Sequence, residues 1–211
     1  AASDVYKRQA QREGRAKDSS DHTQPSVLRM MTLGGEGNHY ESLRHMQVVP
    51  LTISYEYDPC DYLKAKEFQQ KRDDATFKKS KQDDLDNMRV GILGKKGRVH
   101  YRTADCINHW LEEYKDLSAK EFFEAVAARI DRDIHAGYEL YPNNYVAADL
   151  LEGGKRFANH YTAKDVARFE KYLQSRLDLI ELPNKDEAYL RERMLTMYAN
   201  PLYNYLKAHE G

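Results

Sequence analysis

Val48-Val49-Pro50-Leu51-Thr52-Ile53-Ser54-Tyr55-Glu56 opens with a near-continuous apolar run, the composition of a strand covered on both faces as in a parallel sheet. Pro50 cannot donate to a ladder, which places it early in the strand or at an irregularity. Upstream lies a basic turn, Gln11-Arg12-Glu13-Gly14-Arg15-Ala16-Lys17-Asp18. Gly14 lets the backbone bend tightly and come close to a ligand, while Arg12, Arg15 and Lys17 supply donors for an anion. Guanidinium groups suit phosphate because their planar fork offers two parallel hydrogen bonds to its oxygens.

These two blocks, followed by Asp58-Pro59-Cys60-Asp61-Tyr62-Leu63-Lys64-Ala65-Lys66, resemble the third and fourth sequence blocks of the glycerolipid acyltransferase family, in a bacterial branch. The resemblance runs from about Ala10 to the C-terminus and is strongest in the two blocks and in Leu182-Pro183-Asn184-Lys185-Asp186-Glu187. It implies an acyltransferase of phospholipid biosynthesis that moves an acyl group from a thioester donor, acyl-CoA or acyl carrier protein, to glycerol-3-phosphate or its 1-acyl derivative. An amino-acid-headed lipid is a further acceptor within the family. No other cofactor is implied. On the same ground the protein is expected in the cytoplasm, peripheral at the inner face of the cytoplasmic membrane. Arg15 becomes the chief ligand of the acceptor phosphate, with Arg12 or Lys17 auxiliary, Glu13 orienting the arginine or a substrate hydroxyl, and Gly14 allowing close approach. Pro50 and Tyr55 are expected to line the acceptor or acyl pocket. Without the strand block, Glu13-Gly14-Arg15 reads as an ordinary surface turn.

The family's His-x-x-x-x-Asp block belongs well ahead of the E-G-R turn, yet only twelve residues precede Glu13. Asp4-Val5-Tyr6-Lys7-Arg8-Gln9 resembles the translated end of a transposon adapter, so residues 1–9 are expected to be a non-native tail. The expected organisation is then the C-terminal half of an acyltransferase core over 10–116 and a helical extension over 117–211. The fold class is α/β, a truncated acyltransferase-like sandwich core followed by helices. His100 to Asp105 and His160 to Asp165 also fit the spacing, but among eight histidines about one such match arises by chance, and both follow the turn. No catalytic residue is assigned, and the chain itself is expected to be inactive in acyl transfer.

Lys plus Arg number 33 against 34 Asp plus Glu, a formal charge of -1, so no global field draws nucleic acid or an anionic membrane. Any anion site must be local, and no nucleic-acid partner is expected. No apolar stretch approaches the roughly 18 to 20 residues needed to span a bilayer. Cys60 and Cys106 have no metal or redox spacing, which fits a reduced compartment, and no ligand pattern for a metal stands out.

Helices are expected from Pro25 to Leu33, from about Tyr40 to Met46, from Lys64 to Lys71 and from Ser80 to Met88. Gly91, Gly94 and Gly97 mark a loop before a strand, Arg98 to Arg102. The mixed charges from Lys71 to Asp84 read as a solvated face. Ser118-Ala119-Lys120-Glu121 is a capping box opening a stripe of Phe122, Val126, Ile130 and Ile134. Thr162 with Asp165 caps a helix carrying Phe169, Leu173 and Leu177 inward, and Pro201 is expected to interrupt a last helix. Tyrosine numbers sixteen, and most of those in the helical part read as packing residues with wetted hydroxyls. Two rival functions stand beside the enzyme: a non-catalytic phosphate- or phospholipid-binding module, and a helical interaction protein.

Overall fold

The computed structural model describes residues 9–11, 17–20, 22–35 and 37–210. In chain order its elements are α1 (Pro25–Met31), α2 (His39–His45), β1 (Leu51–Tyr55), α3 (Asp61–Asp73), α4 (Lys81–Leu93), β2 (Val99–Thr103), α5 (Ala119–Ala136), α6 (Pro142–Glu152), α7 (Ala163–Leu177) and α8 (Glu187–His209). The architecture is α-rich with one small two-stranded antiparallel sheet. Its residues group into two units, one built mainly from 22–50 and 103–134, the other from 17–20, 51–102 and 135–210.

In the first unit, Pro25 stands at the first turn of α1, where its fixed φ suits a helix start and its missing N–H is not needed. Asn38 and Glu41 exchange side-chain and backbone hydrogen bonds as a capping box for α2. Ser118 and Glu121 do the same for α5, with Ser118 Oγ donating to Glu121 Oε2 at 2.6 Å. The stripe expected on α5 is buried throughout: Phe122, Val126, Ile130 and Ile134. The ring of His39 meets Phe122 edge-on at 4.7 Å, and Ile107 and Leu111 on short 3-10 turns complete the core.

In the second unit, α6 packs along α8, and α3 and α7 close the remaining sides. Val146, Phe169, Leu173, Leu190, Met194 and Leu202 form the centre. Thr162 and Asp165 cap α7 reciprocally, as their spacing predicts. Gly153 ends α6 at φ 65, a left-handed conformation that glycine adopts without a side-chain clash.

Three expectations change. β1 is not a parallel strand covered on both faces: it pairs antiparallel with β2, and its buried side chains are Thr52 and Ser54, whereas Leu51 and Tyr55 are exposed. The polar side faces inward because it finds partners there; Ser54 Oγ accepts the Glu139 N–H at 3.0 Å, and Asn143 donates to the Glu56 carbonyl. α4 continues through Gly91, whose bare Cα lies where a Cβ would meet Cys60 Sγ at 3.4 Å. Pro201 does not interrupt α8, since the roughly 3 kcal/mol cost of an interior proline is outweighed by burial of Tyr198, Ala199 and Leu202 beside it. The face from Lys71 to Asp84 is exposed as expected, with Phe77 and Lys79 half-buried, whereas Asp61, Glu67 and Gln69 earlier on α3 are buried. Among the tyrosines, Tyr198 and Tyr172 are exceptions to the wetted hydroxyls and turn theirs onto Asp61. Neither Cys60 nor Cys106 is in a disulfide. Among the described residues no helix is long and apolar enough to cross a membrane.

Candidate functional site

The expected phosphate ligands Arg12, Glu13, Gly14 and Arg15 lie outside the described residues. Lys17, the last member of that set, is described, and its surroundings make it the centre of interest. Its Nζ pairs with Glu67 Oε1. Glu67 also receives Lys71 Nζ at 3.0 Å and Lys79 Nζ at 2.9 Å, and its side chain is only 4% exposed. Lys71 arrives by helical periodicity, four residues along α3, while Lys17 and Lys79 come from separate segments. Asp84 stands 3.8 Å from Lys79 at the margin. Three ammonium groups therefore converge on one buried carboxylate, and positive charge is left over.

That surplus registers on Lys17. Burial, followed by the neighbouring ammonium groups of Lys71 and Lys79, lowers its pKa from 10.5 to about 8. A bound dianion would reverse this balance by satisfying donors that a single carboxylate cannot. Lys17 and Lys79 each retain about a quarter of their side-chain surface in solvent, so the cluster is open to a small ion.

A second buried carboxylate sits two turns earlier on α3. Asp61 is fully buried, and every lone-pair direction is occupied. Oδ1 accepts from Arg176 Nε at 2.7 Å and from the Tyr62 N–H at 2.7 Å; Oδ2 accepts from Tyr172 OH at 2.6 Å and Tyr198 OH at 2.8 Å. Arg176 also donates to the Pro59 carbonyl at 2.6 Å, and its guanidinium lies 4.4 Å above the Tyr62 ring. Burial pushes the Asp61 carboxyl above its ordinary range, opposed by Arg176 and by the tyrosine hydroxyls. Burial, aided by Asp61, also pushes both tyrosine hydroxyls upward. With no acceptor site left over, the group ties α3 to α7 and α8 and offers nothing to a substrate.

Of the expected pocket residues, Pro50 is buried in the first unit, where its carbonyl accepts the Ala104 N–H at 3.0 Å. Tyr55 belongs to the second unit and is exposed on β1. The block Leu182 to Glu187 is held to α3 through Gln69, whose Nε2 donates to the Asn184 carbonyl at 2.6 Å and whose Oε1 accepts the Asp186 N–H at 3.0 Å. Asp165 is the acid of the α7 cap, and the His160 ring stacks on Tyr145 at 4.3 Å.

Glu67, Lys71 and Lys79 escaped the sequence reading. The four-residue spacing of Glu67 and Lys71 was visible, but it is shared by any ordinary surface ion pair. Among the described residues, no group of three or more His, Cys, Asp or Glu side chains could hold a metal ion. Comparison with models of protein families, with curated proteins and with solved structures found nothing that matches this chain.

Proposed function

We propose that this chain carries the acceptor-phosphate anchor of an acyltransferase of phospholipid biosynthesis, with an acyltransferase-like sandwich core as its fold. The observation that supports the reading is the convergence of Lys17, Lys71 and Lys79 on Glu67 immediately after the Arg12 to Arg15 turn. The segment whose sequence resembles a phosphate-binding block thus leads into a local excess of positive charge. In the proposed reaction the acceptor is glycerol-3-phosphate or its 1-acyl derivative. Arg15 and the lysine cluster hold its phosphate, a histidine general base takes the proton from its hydroxyl, and the resulting alkoxide attacks the acyl carbonyl as the thiolate leaves. The place of action is the cytoplasmic membrane surface.

The chain itself is expected not to transfer acyl groups. Asp165 is committed to a helix cap and His160 to a ring stack, so this His-x-x-x-x-Asp match is spoken for. Titration with glycerol-3-phosphate by calorimetry tests the anchor. Binding is expected, and Lys17→Ala with Lys79→Ala should weaken it at least about tenfold, since a charge-assisted hydrogen bond is worth roughly 1.5–3 kcal/mol. Unchanged affinity in that double variant would reject the assignment.

A non-catalytic phosphate-binding module is the second reading, favoured by the same cluster because it needs no general base. It predicts that inorganic phosphate and glycerol-3-phosphate bind equally well. A clear preference for the glycerol ester favours the enzyme.

A further inference from the structure

Lys17 sits in a turn that the rest of its unit fixes in place. Ser19 adopts φ 60, a left-handed conformation uncommon outside glycine, and the Ser20 N–H donates to Asp18 Oδ1 at 3.1 Å. Asn200 on α8 donates through Nδ2 to the Asp18 carbonyl at 2.7 Å, so the backbone beside Lys17 is tied to that helix. From this anchored turn the long side chain runs to Glu67. Lys17 and Lys71 share Oε1 while Lys79 takes Oε2, so the three nitrogens lie within the span of one carboxylate.

An amine so placed differs chemically from a surface lysine. A protonated Lys17 meets two other ammonium groups at close range, with a side chain only 27% exposed and so partly stripped of water. Among the described residues the anions that face it are Glu67, shared three ways, and Asp84, which stands 3.8 Å from Lys79. Burial first, then Lys71 and Lys79, bring its pKa from 10.5 to about 8, with Asp84 opposing. At pH 8 about half of Lys17 is therefore free amine, roughly a hundredfold more than for an ordinary lysine. Lysines activated by desolvation beside other cations attack carbonyl carbons and form Schiff bases. The same neighbours select the carbonyl compound. Lys71 and Lys79 attract an anion, so a molecule carrying phosphate a few bonds from its carbonyl is seated with that carbon at Lys17.

We propose that Lys17 is a nucleophilic lysine that captures small phosphorylated aldehydes or ketones as Schiff bases, with Lys71 and Lys79 holding the phosphate. The proposal rests on the reading of this cluster as a phosphate site and adds a covalent step to it. The Lys17 nitrogen lone pair forms the N–C bond as the carbonyl π pair moves to oxygen. Glu67, in contact with Nζ, is placed to take a proton from the nitrogen and return it to that oxygen. The carbinolamine then expels the oxygen as water with the two protons of the free amine, leaving C=N. No oxidant or reductant is consumed.

Glyceraldehyde 3-phosphate and glyceraldehyde test this on the whole chain, each with cyanoborohydride to reduce and fix the imine and with peptide mass mapping to locate it. Lys17 is expected to be modified ahead of the other lysines. The phosphorylated aldehyde should act at least about tenfold faster there than glyceraldehyde, the factor expected of one charge-assisted hydrogen bond. Glycerol-3-phosphate should protect Lys17, and the rate should climb with pH and level off above about 8. Lys79→Gln should shrink the preference for the phosphorylated aldehyde. The parent chain carries the main readout, so a misfolded variant does not imitate it. Adducts spread over the lysines without preference for Lys17, in a chain that binds glycerol-3-phosphate by calorimetry, would overturn this inference and leave the phosphate anchor standing. Equal modification of Lys17 by the two aldehydes overturns it as well, and if glycerol-3-phosphate also fails to bind, the anchor falls with it.

Discussion

Asp61 and Glu67 are both buried carboxylates on α3, yet their surroundings are opposite. Asp61 is met by hydroxyls, one guanidinium and a backbone N–H, each in a separate direction, so charge and hydrogen-bonding capacity are matched. Glu67 is met by three ammonium groups that repel one another. The first arrangement is complete and therefore structural. Among the described residues the second carries more positive than negative charge, which an added anion would offset. A buried acid is thus informative only through its partners: saturation argues for architecture, surplus for a ligand.

The largest effect is expected at the saturated site. Asp61→Ala leaves Arg176 desolvated and unpaired and should cost about 3–5 kcal/mol in a denaturant titration. Asp61→Leu combined with Arg176→Met should recover much of that loss, because an apolar replacement of a whole buried pair is often tolerated. If Asp61→Ala proves neutral, the contrast between the two acids fails.

At the surplus site the response should appear in binding instead. Lys17→Ala with Lys79→Ala should leave the unfolding midpoint nearly unchanged while weakening phosphate affinity at least about tenfold. Glu67→Gln should act in the opposite sense on affinity and tighten phosphate, because it removes the competing negative charge. A large stability loss in the lysine variant would make the cluster structural as well.

Tyr172→Phe sharpens the comparison further. Tyr198 still donates to Asp61 Oδ2, so the loss should be limited to about 1.5 kcal/mol, the low end for a hydrogen bond to a charged group. Thermal unfolding measures it directly.

The smallest effects are on pH dependence, and they have opposite signs. Asp61 is raised above its ordinary 3.8, so the folded state holds its proton longer than the unfolded one. Its contribution is fully present below that value and is lost as pH rises through the folded pKa. Lys17 is lowered to about 8 from 10.5, so the folded state gives up its proton first and stability rises with pH across that interval. Asp61→Asn should flatten the acid part of a stability profile and Lys17→Met the alkaline part. Added phosphate should raise the Lys17 pKa, which NMR of isotopically methylated lysines can follow.

Local signals were legible in the sequence. The Ser118–Glu121 and Thr162–Asp165 caps and the stripe from Phe122 to Ile134 each depend on residues a turn apart, and all occur as their spacing predicts. Long-range polar partnerships were not legible. Nothing near Asp61 announces Tyr172, Arg176 or Tyr198, and nothing near Glu67 announces Lys17. β1 misled for the same reason: its apolar opening read as a strand covered on both faces, but partners from the distant segment 139–143 bury the Thr52 and Ser54 side and leave Leu51 and Tyr55 exposed. Of the blocks that carry the acyltransferase resemblance, Arg12 to Arg15 lie outside the described residues.

Gln69 has a consequence for motion. Its single amide clasps the Asn184 carbonyl and the Asp186 N–H as a neighbouring peptide group would, splicing the approach to α8 onto the flank of α3. Solvent exchange of the Asp186 amide must therefore wait for that clasp to open, so its deuterium uptake becomes a gauge of fluctuations in α3. Gln69→Glu, which can accept but no longer donate, should quicken uptake there well before the rest of α8 loosens.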